Sequence, residues 1–293
     1  MQLLSILIDV VGPVFLVAFV GYLWARRGAP FDPMFVALLV TGVGTPSFVI
    51  ESLSNGGPKL ASLGVIALAS LLCHGISLGC AYAFTRAMGE STTVYVPSLT
   101  FPNTGNMGLP LGLFAFGEAG LALSVGYYAM ASLLQFTVGQ AIAAKEVNPG
   151  ALLRMPLIWA ILVGVLLTVT GTHLPAVASR ALHILGGLMV PLMLLSLGYS
   201  LARLNISSLK RGMIFSLARL FGGFAIGWLV SWGLGLDGLA RGVVVAQSSM
   251  PSAVYNYMFA ERFGNRPEEV AGIVVLSTLL SIVLLPLFLA SVM

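Results

Sequence analysis

Nine consecutive residues, Pro102-Asn103-Thr104-Gly105-Asn106-Met107-Gly108-Leu109-Pro110, bring together the parts of a site for a small ligand or ion. Pro102 lacks an N–H and clashes with the turn before it, so a helix arriving there must stop. Gly105 and Gly108 permit backbone shapes that other residues avoid, and let another segment approach closely. Asn103, Thr104 and Asn106 supply donors and acceptors for freed backbone groups or for a ligand. A new helix is expected to start near Gly108-Leu109-Pro110, where proline suits the first turn. A second stretch, Gln247-Ser248-Ser249-Met250-Pro251-Ser252, repeats the theme about half the chain later. There Pro251 breaks a helix, Ser252 is placed to cap the next one, and Gln247, Ser248 and Ser249 give a polar lining.

Both stretches interrupt apolar runs. The 293 residues are 58% hydrophobic and 8% charged, with mean hydropathy +1.00. A soluble domain carries about 25% charged residues, so this composition belongs in a bilayer, which becomes a partner of the chain. A spanning helix needs about 20 apolar residues. Ten such segments fit, near 4–25, 34–54, 60–85, 91–117, 120–144, 152–172, 176–201, 210–235, 238–262 and 268–292. The runs are too long and lack the alternation of barrel strands. In hydrocarbon, each unpaired backbone group costs several kcal/mol, so a break survives only where it lines a cavity or is buried by protein. A matched pair of interrupted spans is the sequence sign of a secondary transporter's binding site.

A net charge of +4 and a pI near 9.3 could indicate nucleic acid, but the distribution of the charge excludes it. Arg26, Arg27, Arg86, Lys145, Arg154, Arg203, Lys210, Arg211, Arg262 and Arg266 flank connections after odd-numbered spans, against Lys59, Arg180 and Arg241 on the other side. This bias is the positive-inside pattern and puts both termini on the external face. The N-terminus has no basic leader or small-residue cleavage site, so the first apolar run reads as a retained helix. Cys73 and Cys80 share one span about 10 Å apart along its axis, too far for a disulfide, and read as small packing residues.

The chain also resembles itself at an offset of 145–149 residues. Pro46 with Leu53-Ser54 answers Pro191 with Leu197-Gly198, and Gly75/Gly79 answers Gly223/Gly227. Pro102-Asn103 answers Pro251-Ser252, and Phe114 to Gly117 answers Phe259 to Gly264. The halves are 1–146 and 150–293, joined by the turn-forming linker from Lys145 to Gly150. Five spans per half force the second half to insert inverted. The fold expected is therefore all-α, ten transmembrane helices in two inverted five-helix repeats, with helices 4 and 9 broken and crossing at mid-membrane. Such a crossing brings two half-helix N-termini together, each worth roughly half a positive charge. That makes an anion site with no full cation in the membrane. The plainer alternative is two ordinary proline kinks satisfied by neighbouring helices.

The run from Asn103 to Leu111 resembles the first signature of the auxin efflux carrier family of membrane transporters. Met250-Pro251-Ser252-Ala253 with Ala260, Phe263 and Gly264 resembles the second, Pro191 to Leu201 its seventh helix, and Ser277 to Ser281 with Pro286 its last. The resemblance implies a scaffold of helices 1, 2, 6 and 7 and a transport domain of helices 3–5 and 8–10 that moves like an elevator. It also implies a homodimer and a small organic anion as substrate, anything from aromatic auxins to dicarboxylates such as malate. The family's crossover positions map to Pro102, Asn103, Thr104, Pro251 and Ser252. The long central loop of the plant carriers is missing, which favours a bacterial-type member in an inner membrane and argues against auxin itself.

The substrate-binding set expected is thus Asn103, Thr104, Gly105, Asn106, Ser249, Pro251 and Ser252, with Pro102, Gly108, Pro110, Met250 and Pro251 as hinges. Asn103, Gln247 and Ser248 could hold a sodium ion, and the sequence leaves the coupling ion open between Na+ and H+. No cofactor or metal is expected. Arg219, about nine residues into the eighth span, could bind a substrate carboxylate, snorkel to headgroups or pair with a buried acid. His74 could relay protons or be a hydrogen-bonded structural residue. Glu51 and Asp9 fall near external helix ends, where Glu51 could face the substrate path. The paired glycines read as close helix packing. Sodium-coupled symporters of the bile-acid type share the inverted plan and form the runner-up. An intramembrane enzyme is disfavoured, because no His lies near an acid at metal-ligand spacing and Cys73, though next to His74 in the chain, is on a different helix face from it.

Overall fold

The computed structural model of the chain describes residues 11–54, 60–145, 156–204 and 209–292. Asp9, Lys59, Arg154 and linker residues 146–150 lie outside them. The described chain is helical, and its extended pairing is one isolated antiparallel bridge between Pro102 and Ser252. With no water at membrane depth, the backbone must bond within itself, and helices do this for every apolar run.

In chain order the helices are α1 (Gly12–Arg26), α2 (Pro33–Ser54), α3 (Leu60–Ala87), α4 (Thr92–Thr100), α5 (Thr104–Ala144) and α6 (Pro156–Thr170). They continue with α7 (Ala176–Arg203), α8 (Leu209–Gly233), α9 (Gly238–Ser248), α10 (Val254–Phe263) and α11 (Pro267–Ala290). Six of them, α2, α3, α5, α7, α8 and α11, are long and apolar enough to cross a membrane. The difference from ten expected spans has local causes. Helices α4, α9 and α10 have 9, 11 and 10 residues, because the prolines divide their runs. The 41 residues of α5 join two runs across Gly117, whose φ of 68° and ψ of −165° are open to glycine and closed to most side chains. Helices α1 and α6 have 15 described residues each.

Local signals account for several boundaries. The Asp32 carboxylate accepts from the N–H groups of Met34 (2.9 Å) and Phe35 (3.1 Å), and Pro33 occupies the first turn. We expect Asp32→Ala to cost about 1 kcal/mol, read as a fall of a few degrees in the melting temperature of the purified protein. Within α2, Thr45 N–H bonds Val40 C=O in a wide turn just before Pro46, which absorbs the donor that Pro46 lacks.

The densest helix packing falls in two sets, which two apolar clusters also link. Helix α1 lies against α7 so closely that a Cβ on Gly198 would overlap the Ala18 carbonyl, while α2 packs on α6 and α7. In the other group α3 packs on α5 and α4, and α8 packs on α9 and α11. Between α2/α6 and α3/α5 runs a cavity of 310 Å³ lined almost wholly by apolar side chains. At one end of α3, Arg211 lies 3.5 Å from both Glu90 and Glu269, and Arg266 lies 3.9 Å and 3.6 Å from the same pair. At the other end, Glu51, Glu118 and Asp237 line an open basin of 1050 Å³.

Candidate functional site

The two breaks meet. Asn103 N–H donates to Pro251 C=O (2.7 Å), and Ala253 N–H donates to Phe101 C=O (3.1 Å). Backbone groups released by each break are thereby satisfied by the other, the demand that hydrocarbon makes. The two bonds are related by a shift of 150 residues (252 minus 102), one more than the proline-to-proline spacing, so the prolines are staggered by one in the bridge.

Both breaks are narrower than their motifs. Helix α4 ends at Thr100 and the next turn begins at Thr104, not near Gly108, because Gly108 N–H bonds Asn103 C=O (3.0 Å) in a wide first turn. Pro110 is in the first turn of the regular helix that starts at Leu109, as its sequence indicates. In the second break, Gln247 and Ser248 stay helical, and Ser249 to Ala253 are unwound.

A small cavity of about 30 Å³ borders the breaks, lined by Pro102, Asn103, Thr104, Gly105, Asn106 and Ala253. Tyr128, Ser132, Gln135, Phe136 and Tyr255 close it on the α5 and α10 side, and Val36, Val40, Thr41, Met193 and Ser196 of α2 and α7 face it. It thus receives the first turn of α5 and the start of α10, whose leading N–H groups have no intrahelical acceptor. A wider cavity of 490 Å³ shares Ala37, Thr41, Tyr128, Ser132, Phe136 and Tyr255 with it and continues to Glu261 and Arg262. Phe136 stands edge-on to Tyr255 at 5.1 Å between ring centres, at the junction of the two.

The expected polar residues divide. Asn103 and Thr104 are buried at the cavity, Gly105 and Asn106 half-buried, and Asn103 Nδ2 has no protein partner. Ser248 and Ser249 turn their hydroxyls back to carbonyls of their own helix, Val244 (2.8 Å) and Val245 (2.6 Å). Met250, Pro251 and Ser252 are fully enclosed and do not line the cavity. Gln247 donates to Gly108 C=O (2.9 Å), across a contact so close that a Cβ on Gly108 would overlap its side chain.

Two amides at the site carry no motif. Asn256 Nδ2 donates to Phe101 C=O and to Ser252 Oγ, both at 3.0 Å, and Gln135 Nε2 donates to Asn256 Oδ1 (3.2 Å). Nothing in the sequence singles them out, since Gln140 shares the span of Gln135 and Gln247 that of Asn256.

The ionisable candidates lie around this centre. Arg219 is buried within α8 and donates to Leu99 C=O, Thr100 C=O (3.4 Å) and Ser248 C=O, so its partners are backbone carbonyls rather than an acid or headgroups. His74 is buried behind the first break, its ring 5.8 Å from those of Phe101 and Tyr127, with Nδ1 donating to Ser70 C=O (2.7 Å). Glu51 lies in the open basin at the end of α3, 3.8 Å from His183. Gly223 and Gly227 press α8 onto the end of α9, where a Cβ on either would overlap Ser248.

The sequence pattern of a family described as membrane transport protein matches residues 141–289, which include the second break and Arg219. A transporter of Methanothermobacter thermautotrophicus, described as uncharacterized, is 28% identical over 261 residues, 85% of this chain and 86% of its own length. A second uncharacterized transporter, from Methanocaldococcus jannaschii, is 28% identical over 200 residues. That match spans 64% of each chain, just under two thirds of the relative's length.

Proposed function

Because the chain belongs to the membrane transport protein family, that of the auxin efflux carriers, and is a membrane transporter, we propose that it is a secondary transporter of a small organic anion. The observation that carries this reading is the pairing of the two breaks beside one cavity that receives the starts of both following helices. Those starts carry roughly half a positive charge each, with no basic side chain in the cavity lining. A carboxylate suits that field.

In this reading the spans number ten, in two inverted repeats, with α4 and the start of α5 forming the fourth and α9 with α10 the ninth. The repeated bonds at a shift of 150 residues support the inversion. The packing supports a scaffold of α1, α2, α6 and α7 and a moving unit of the remaining helices, separated by the apolar seam. The inner cavity of about 30 Å³ holds a water or two and no substrate. The 490 Å³ space beyond the Phe136–Tyr255 pair would be the entry on the side of Glu261 and Arg262, the cytoplasmic side by the charge map. With the termini external and two copies per assembly, the moving unit carries the site past the scaffold. A sodium-coupled version draws support from Gln247 Oε1, a buried acceptor with no hydrogen-bond partner.

The test is uptake into proteoliposomes of labelled carboxylates, from malonate to indole acetate, with sodium and pH gradients imposed separately. Uptake of at least one carboxylate, saturable and above that of its amide analogue, is expected. Flux indifferent to the carboxylate's charge would overturn the reading. Asn103→Ala is expected to lower that flux at least about tenfold, the value of one charge-assisted hydrogen bond, without loss of folded protein. Its Nδ2 has no protein partner, so removing it orphans no protein group there.

A further inference from the structure

We propose that Arg219 is a positioning residue that fixes the electrical polarity of the paired breaks, holding the carbonyl ends of α4 and α9 together and offsetting their negative charge. The observations are geometric. One guanidinium reaches both half-helices: Nη1 donates to Leu99 and Thr100 at the end of α4, and Nη2 to Ser248 at the end of α9. These are last-turn carbonyls, which have no intrahelical donor. Arg219 is 2% exposed, and among the described residues it is the only buried side chain with a permanent charge. A buried cation normally needs a carboxylate partner. Here two helix ends, each roughly half a negative charge, sum to about one and do that work.

The seat is cut for this side chain. A Cβ on Gly223 would overlap both the Ser248 carbonyl and the guanidinium, so the glycine leaves room for the contact. Arg219 does not line the cavity at the breaks; it borders a separate 180 Å³ space with Ser77, Cys80 and Gly222. A direct role on substrate is therefore not its task. Its effect is on the sum of charges. Without it, the negative ends of α4 and α9 would lie just behind the positive starts of α5 and α10, and the four would largely cancel at the cavity. With it, the cavity sees the positive starts alone. The consequence for substrate choice rests on the anion reading above, but the electrostatic claim can be measured without any substrate.

The experiment uses the full chain in liposomes, with Cys73 and Cys80 replaced by alanine and one cysteine introduced at the cavity by Asn106→Cys. The rates of modification by an anionic and a cationic methanethiosulfonate of similar size are compared. Their ratio cancels changes in accessibility and thiolate reactivity, which a merely structural role would alter, and reports the local potential. Arg219→Met is expected to lower the anionic-to-cationic ratio by about tenfold or more, the effect of a unit charge acting through low-dielectric protein. Arg219→Lys, which keeps the charge and loses the fork, is expected to hold the ratio within about threefold. An unchanged ratio in Arg219→Met, or an equal fall in Arg219→Lys, overturns the proposal. If Arg219→Met and Arg219→Gln fail to fold while Arg219→Lys folds, the proposal stands, since bulk is kept and charge alone is missing. Failure of all three overturns it, because shape would then be the requirement. Failure of the transport reading looks different: no carboxylate uptake by the native chain, with its reagent ratio still dependent on Arg219.

Discussion

We expect Asn256→Leu to lower transport about 100-fold while the chain still inserts in the membrane. The side chain links three elements at one point, through Phe101 of the first break, Ser252 of the second and Gln135 of α5. Leucine matches its bulk and restores none of these bonds. Phe101 C=O keeps its bond from Ala253, but Gln135 Nε2 and Ser252 Oγ lose their protein partner. Orphaning a buried polar group costs about 1–3 kcal/mol. Two such groups make a few kcal/mol, enough to move the breaks out of register. A shift of about 2.7 kcal/mol in the transport barrier is about 100-fold in rate. Insertion depends on apolar length, which is unchanged. The check is carboxylate flux normalised to folded protein on size exclusion, with Asn256→Gln as the polar control. Flux from Asn256→Leu within a few-fold of native would remove Asn256 from the mechanism.

Pro251→Ala has the second large effect, and for the opposite reason: it relieves a constraint instead of removing a contact. Pro251 offers its carbonyl to Asn103 N–H because its ring prevents α9 from continuing through Ser249 and Met250. Alanine restores a donor and removes the clash, and in hydrocarbon a continuous helix satisfies more backbone than an unwound one. Helix α9 is then free to run on, drawing the Pro251 carbonyl into its own ladder and leaving Asn103 N–H unpaired. We expect transport to fall by about 100-fold or more with no loss of thermal stability, the pattern of a functional strain relieved. Native flux together with an unchanged exchange rate of the Asn103 amide would defeat the argument.

These two residues mark different depths of legibility. Pro251 was visible because its effect is local: a ring where an N–H is needed acts on the residues beside it, whatever the rest of the fold does. Pro102 and Pro110 were legible for the same reason. The breaks are narrower than the sequence indicates. A polar stretch of nine residues can be unwound over only three if a wide turn lets Gly108 N–H reach back to Asn103, and that choice is made by what packs against it. Asn256 and Gln135 carry no such local signal: each is an ordinary polar residue in its own segment, given meaning by the other.

The chain by itself determined that the protein is helical and embedded in a bilayer, that two of its helical runs must break, and at which prolines. Those properties follow from apolar length and from a missing donor, which act over a few residues. Tertiary structure alone decided that the breaks bond to each other, that Ser248 and Ser249 turn away from the cavity, and that Arg219 serves both helix ends. The physical reason is that the partners in each case are backbone carbonyls and amides. Every residue carries them, so no sequence pattern says which ones will meet.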